Sequence, residues 1–309
     1  MAMTNRERFE KTMRYEPVDH PPIILDVPWP RTIERWQREG WPKGVSLEDY
    51  FELEPFNMVN VGPATRIWPG WDEHTLEVKG SQRFFIDTRG IKCMTHSDQY
   101  EAIHYLEYPI KGSADKAWLE RRLNPDDPTR WQNGWEKKLA SLDAGHDLAT
   151  IEFGSFFGDL HEHMGTEQMS FIFFEDPEFV HWYNDRMASC AERAIGKLLP
   201  DNRIVFMSGH EDMAFKNGPF ISPAMFKEFM TPYYKRTVGA ARARGQTIFW
   251  QDSDGNLDQL IPLWLELGIN LMTPMEVAAG MDVARLRGEY GRDLLMVGGI
   301  DKRALIAGK

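Results

Sequence analysis

The chain has 309 residues, with 36 Lys and Arg against 47 Asp and Glu, a formal charge of −11. That acidic balance argues against a nucleic-acid or anionic-membrane surface, and the length suits one barrel domain or two smaller ones. No apolar run approaches the ~20 residues of a membrane span, the charged start MAMTNRERFEKTMRYEP has no signal-peptide core, and Cys93 and Cys190 stand alone, so a cytoplasmic location is expected and neither a disulfide framework nor a cysteine zinc site is.

In chain order, Asn5 to Tyr15 reads as a helix with Thr4 or Asn5 at its N-cap. PPIILDVPW reads as a first strand, Ile23 to Val27, with Asp26 at its end, followed by a helix from Arg31 to Glu39. Phe56 to Val61 is a second strand candidate. Thr75 to His96 changes character: alternating residues around Gly-containing turns predict an antiparallel β-hairpin region inserted into the domain. A helix over Trp131–Leu142, the strand LATIEF, a helix opening at Gly158, and a long amphipathic helix from Asp176 and Pro177 come next. RIVFMSGHEDM is a strand and its loop. Ser222 caps a helix that Pro223 opens and Gly245 stops. Three further runs, QTIFWQDSDGN, INLMTPMEV and DLLMVGGID, each pass from apolar to polar or acidic residues.

This alternation predicts an α/β fold, a distorted (β/α)8 TIM-type barrel over residues 1–309 with an insert at about 75–96. Seven strands can be placed, near residues 23, 56, 149, 204, 247, 270 and 294, so either one strand escapes this reading or the chain is shorter than an eight-stranded barrel and lacks its last strand. Barrel chemistry sits where strands end, which makes the acids there the candidates. Asp252 and Asp254, two apart in extended chain, project to one side and suit a metal or a substrate cation, although Asp-Ser-Asp-Gly-Asn is also good turn chemistry. Glu276 is the third candidate metal ligand, or a cap on the next helix. Glu211 and Asp212 are candidate general acid and base, with the proviso that adjacent residues point opposite ways and only one of them enters a cleft. His210, Asp26 and Asp301 are candidate substrate contacts, Asp301 being an equally good helix cap. His161 and His163, at i and i+2 on a helix, read as structural.

The stretches NRERFEKTMRYEPVDHPP, GSFFGDLHEHMGTEQMSFIFFEDPEFV, EDMAFKNGPFISPAMFKEFMTPYYKRTVGAARARG, WQDSDGN and GIDKRAL together resemble the uroporphyrinogen decarboxylase superfamily, which includes cobalamin-dependent methyltransferases. The resemblance covers nearly the whole chain and implies the distorted barrel with its cleft at the strand ends. By that comparison the chain looks C-terminally short. Porphyrinogen decarboxylases carry an Arg-Gln-Ala-Gly-Arg stretch after the first strand and an aspartate at the end of the second. Here those places read LDVPWPRTIERWQREG, where Arg31, Arg35 and Arg38 fit a surface helix, and FNMVNVGPATRIW, with no acid. Corrinoid methyltransferases carry His-x-Cys-Gly-Asn where this chain has WQDSDGN, so a soft zinc site is replaced by the hard oxygens of Asp252 and Asp254. The resemblance therefore implies a methyltransferase-like enzyme that moves a methyl group from a small methylated substrate to a corrinoid on a partner protein, assisted by zinc or a harder divalent ion. Uroporphyrinogen III decarboxylase, which needs no cofactor, and a non-catalytic tetrapyrrole-binding protein are the alternatives. The expected partners are a small-molecule substrate and a corrinoid protein; a homodimer stays open.

Overall fold

In the computed structural model, α1 (Asn5–Met13) begins with a reciprocal cap. The Thr4 hydroxyl accepts from the Glu7 N–H at 3.2 Å, and the Glu7 carboxylate accepts from the Thr4 N–H at 3.0 Å. The structure describes residues 3–23, 28–53, 56–96, 99–131, 134–199 and 201–306. The expected first strand, apart from Ile23, and its Asp26 lie outside them. Helices α2 (Pro30–Glu39) and α3 (Leu47–Phe51) follow, neither with a buried residue, then strand β1 (Asn57–Asn60).

The insert is larger than a hairpin. It is a four-stranded antiparallel sheet of β2 (His74–Lys79), β3 (Gln82–Ile86), β4 (Lys92–His96) and β5 (Gln99–Glu107), paired in that order. It extends the expected 75–96 segment by a whole strand. After it come α4 (Lys116–Arg122), α5 (Trp135–Ala140), β6 (Asp147–Glu152), α6 (Gly158–Met164), α7 (Thr166–Glu175) and α8 (Pro177–Leu198). Then follow β7 (Ile204–His210), the short β8 (Ala214–Phe215) and β9 (Gly218–Pro219), α9 (Pro223–Phe229) and α10 (Thr231–Arg242). The single helix expected from Ser222 to Gly245 is broken at Met230, because Pro232 lacks the N–H that would continue the ladder and instead opens a new first turn. β10 (Phe249–Asp252), α11 (Ile261–Leu267), β11 (Leu271–Thr273), α12 (Val283–Tyr290), β12 (Leu295–Met296) and α13 (Lys302–Ile306) complete the order.

Six strands form one parallel sheet in the order β1-β6-β7-β10-β11-β12. Spatial order equals chain order, so each strand joins the edge left by the one before. A doubly wound sheet reverses its order part-way; a barrel wall does not. Register sorts the residues onto two faces. On one, Leu148, Phe206, Trp250, Leu271 and Leu295 pack with Phe9 of α1, which covers the end where the strands start. On the other, Ala149, Ile151, Met207, Phe249 and Met272 pack in the larger core with residues of α8 and α10.

An acidic mouth at the strand ends

The face that is apolar where the strands begin becomes polar where they finish. Thr150 and Ser208 face each other across β6 and β7, hydroxyl to hydroxyl at 3.2 Å. One step further on stand Glu152, His210 and Asp252, the last two in direct register, with Thr273 beside Asp252. Strand alternation therefore delivers three titratable side chains to one spot without any loop having to place them.

His210 is the centre of the group. Its Nε2 lies 3.5 Å from Asp212 Oδ2 and 3.8 Å from Asp252 Oδ2, and its Nδ1 lies 3.8 Å from Glu162 Oε1 on α6. Nδ1 is buried without a hydrogen-bond partner among the described residues. Asp212 has a backbone φ of +42°, in the left-handed region that a non-glycine residue seldom adopts. That turn brings its Oδ1 to the Asp254 N–H at 3.0 Å, tying the loop after β7 to the loop after β10. Glu276 reaches the same place from the loop after β11, accepting from the Gly255 N–H at 3.2 Å. Burial, and then the charges of Asp212 and Glu276, push the Asp254 carboxyl above the usual aspartate range, against the pull of Lys302 and His210.

Two cations border these acids. Arg66, from the loop after β1, lies 3.7 Å from Glu152, 3.9 Å from Asp159 and 3.7 Å from Glu162. Burial disfavours its charge, but Glu152, Asp159, Glu162 and Glu211 more than offset that and hold the guanidinium ionised. Lys302 sits on Glu276 at 3.0 Å.

His210, Asp212, Asp252, Asp254 and Glu276, all read from the sequence, are thus brought together at the ends of β7, β10 and β11. Glu211 is not. Its carboxylate turns to the other face and is completely buried, accepting from the N–H groups of Phe156 at 2.7 Å, Phe157 at 2.9 Å and Gly158 at 2.5 Å, and from the Tyr234 hydroxyl. It caps the start of α6. A side chain at Gly158 would collide with the Glu211 backbone, its Cβ 2.6 Å from the carbonyl oxygen, so that close approach requires glycine. Burial pushes the Glu211 carboxyl up while the Tyr234 hydroxyl and the three N–H donors pull it down. Glu211, expected beside Asp212 as a general acid or base, is thus placed outside the mouth, as the buried acceptor at the start of α6. Of the two readings of Asp301, the helix cap is the one seen: it caps α13 and is held by Arg303 through its N–H at 3.0 Å and its guanidinium at 2.9 Å.

The expected metal centre of Asp252, Asp254 and Glu276 does not assemble as a donor set. The Glu276 oxygens are engaged by Gly255 and Lys302, and among the described residues no three His, Cys, Asp or Glu groups are placed to hold a metal ion. Sequence reading also overlooked Glu152, Glu162 and Arg66. Glu152 ends the strand LATIEF and was within reach of the same strand-end argument. Glu162 and Arg66 come from a helix and a loop, where no periodicity marks them. His161 and His163, read as structural, bond to Thr166 Oγ1 at 2.8 Å and the Asp159 carbonyl at 2.7 Å.

No family model and no curated protein matches the chain. Among solved structures it is similar to a methyltransferase from Methanosarcina mazei, with a TM-score of 0.50 and 12% identity over 96% of this chain and 82% of that one. What the two share is the fold. Among the described residues no helix is long and apolar enough to cross a membrane.

Proposed function

We propose that this chain is a methyltransferase-type enzyme whose six parallel strands belong to a (β/α)8 barrel of the uroporphyrinogen decarboxylase type, and that its acidic mouth holds a small methylated cation. The observation that carries this reading is the convergence of Glu162, Asp212 and Asp252 on His210, with Asp254 and Glu276 adjoining. Six carboxylates, counting Glu152, crowd the mouth, and among the described residues the Lys and Arg side chains paired with them are Arg66 and Lys302. A cationic substrate relieves that repulsion; an octacarboxylate such as uroporphyrinogen adds to it, which disfavours the decarboxylase.

In this reading the carboxylates of Asp212 and Asp252 hold an alkylated nitrogen, and His210 between them keeps the two apart and oriented. Transfer breaks the bond from methyl carbon to nitrogen, and both electrons stay on nitrogen. A tetraalkylammonium therefore leaves as a neutral amine that needs no proton. Its hold on the mouth weakens as its charge disappears, which favours release. The acceptor is a reduced corrinoid presented by a partner protein at the open strand ends.

The test is anaerobic incubation of the full chain with reduced cobalamin and either tetramethylammonium or a neutral methyl ether of similar size. Methylcobalamin is followed by its visible spectrum. The expected result is transfer from the cation at least about tenfold faster, the minimum for one desolvated charge contact. Preference for the ether, or conversion of uroporphyrinogen at an ordinary enzymatic rate, overturns the reading.

A further inference from the structure

A second cleft, on the flank of the domain, carries charge opposite to that of the chain. It has a volume of about 350 Å³ and is lined by Trp71, Pro109, Trp118, Arg121 and Arg122. None of these belongs to the acidic mouth. The Arg122 guanidinium lies 4.1 Å from the centre of the Trp71 ring and 5.8 Å from that of Trp118, and the two rings meet edge to face at 5.7 Å. The backbone crowds the Trp71 ring as well: a Cβ on Gly90 would lie 2.5 Å from it. Arg122 Nη1 donates to the Pro69 carbonyl at 2.9 Å. Its Nε and Nη2 have no acceptor among the described residues. The guanidinium is thus pinned in orientation with donors left over.

Neither Arg121 nor Arg122 has a carboxylate partner among the described residues. Glu120, next in sequence, is turned away onto Arg186 at 2.6 Å. Burial and the neighbouring Arg121 charge both act against the Arg122 cation, and among the described residues no carboxylate offsets that cost. Two adjacent guanidinium groups, one of them fixed flat against an indole, match an oxyanion with two negative charges better than one with a single charge.

We propose that this flank cleft binds a phosphate group, free or carried on a small molecule, at Arg121 and Arg122. The test is calorimetric titration of the full chain at low ionic strength with inorganic phosphate, adenosine monophosphate and acetate. Saturable binding of phosphate and of the nucleotide, with acetate at least about tenfold weaker, is the expected result. Tighter binding of the nucleotide identifies an organic phosphate as the ligand; equal affinity means that the phosphate group alone is recognised. Arg121→Gln and Arg122→Gln each lower the affinity by about tenfold or more. Arg121 is exposed, so its variant keeps the fold and decides the matter even if Arg122→Gln disturbs the Trp71 stack. Absence of saturable phosphate binding up to about 10 mM, or binding that both variants leave unchanged, overturns the proposal.

Discussion

Behind β7 and in front of it, this protein treats carboxylates in opposite ways. Behind the strand, Glu211 is wholly buried and surrounded by donors: three backbone N–H groups, the Tyr234 hydroxyl and, at 3.3 Å, the Ser155 hydroxyl. In front, Asp212, Asp252 and Asp254 stay partly open to solvent and face one another around a single imidazole. An acid whose lone pairs are filled by its own protein is part of the scaffold. Acids set against each other at a strand-end mouth are what the proposed cationic substrate would complete.

The largest expected effect lies behind the strand. Glu211→Ala leaves three N–H groups and a hydroxyl buried without an acceptor, and should lower unfolding free energy by at least about 3 kcal/mol in urea denaturation. A loss under about 1 kcal/mol would break the comparison from that side.

Next in size is the mouth. Asp252→Asn should reduce kcat/KM for a methylated cation by about 30- to 100-fold, since it removes one charge from the site that holds the substrate. Stability should stay within about 1 kcal/mol of the parent. A variant that loses stability and activity in parallel would make Asp252 another scaffold residue.

The smallest effect sharpens the contrast through pH. The Asp254 carboxyl is raised, so its ionised form is less comfortable in the folded chain than in the unfolded one. Asp254→Asn should therefore stabilise the protein at neutral pH, by about 0.5 kcal/mol or less given its exposure and solvent screening. The gain should shrink as pH falls through the raised value and vanish below the ordinary aspartate range, where both states bind the proton. Denaturation midpoints across that span check it; a gain that ignores pH would mean that the repulsion among these acids is not its source.

Much of this contrast was legible in the residues. Among the described residues, LATIEF with Glu152, the run reaching His210 and the run reaching Asp252 became parallel strands with their polar ends at the mouth. Alternation also said that Glu211 and Asp212 part company. It could not say which one goes inward. That choice depends on the N–H groups of α6 and the hydroxyl of Tyr234, 53 to 55 and 23 residues away in the chain, which wait behind the sheet for an acceptor. Asp301 was ambiguous for a related reason: an acid before a helix serves equally as cap or contact until its neighbour Arg303 is seen to hold it.

The sequence by itself determined the parallel strand order, the insert's existence and the acidic character of the mouth, because hydrophobic period and strand-end chemistry are local properties. Only the tertiary structure decided that the Asp252, Asp254 and Glu276 oxygens do not gather as metal donors, that Arg66 and Glu162 join the site, and that two arginines on the flank have no carboxylate partner among the described residues. Those outcomes turn on distances of a few ångströms between residues far apart in the chain, and electrostatic partnership at that scale leaves no periodic trace in a sequence.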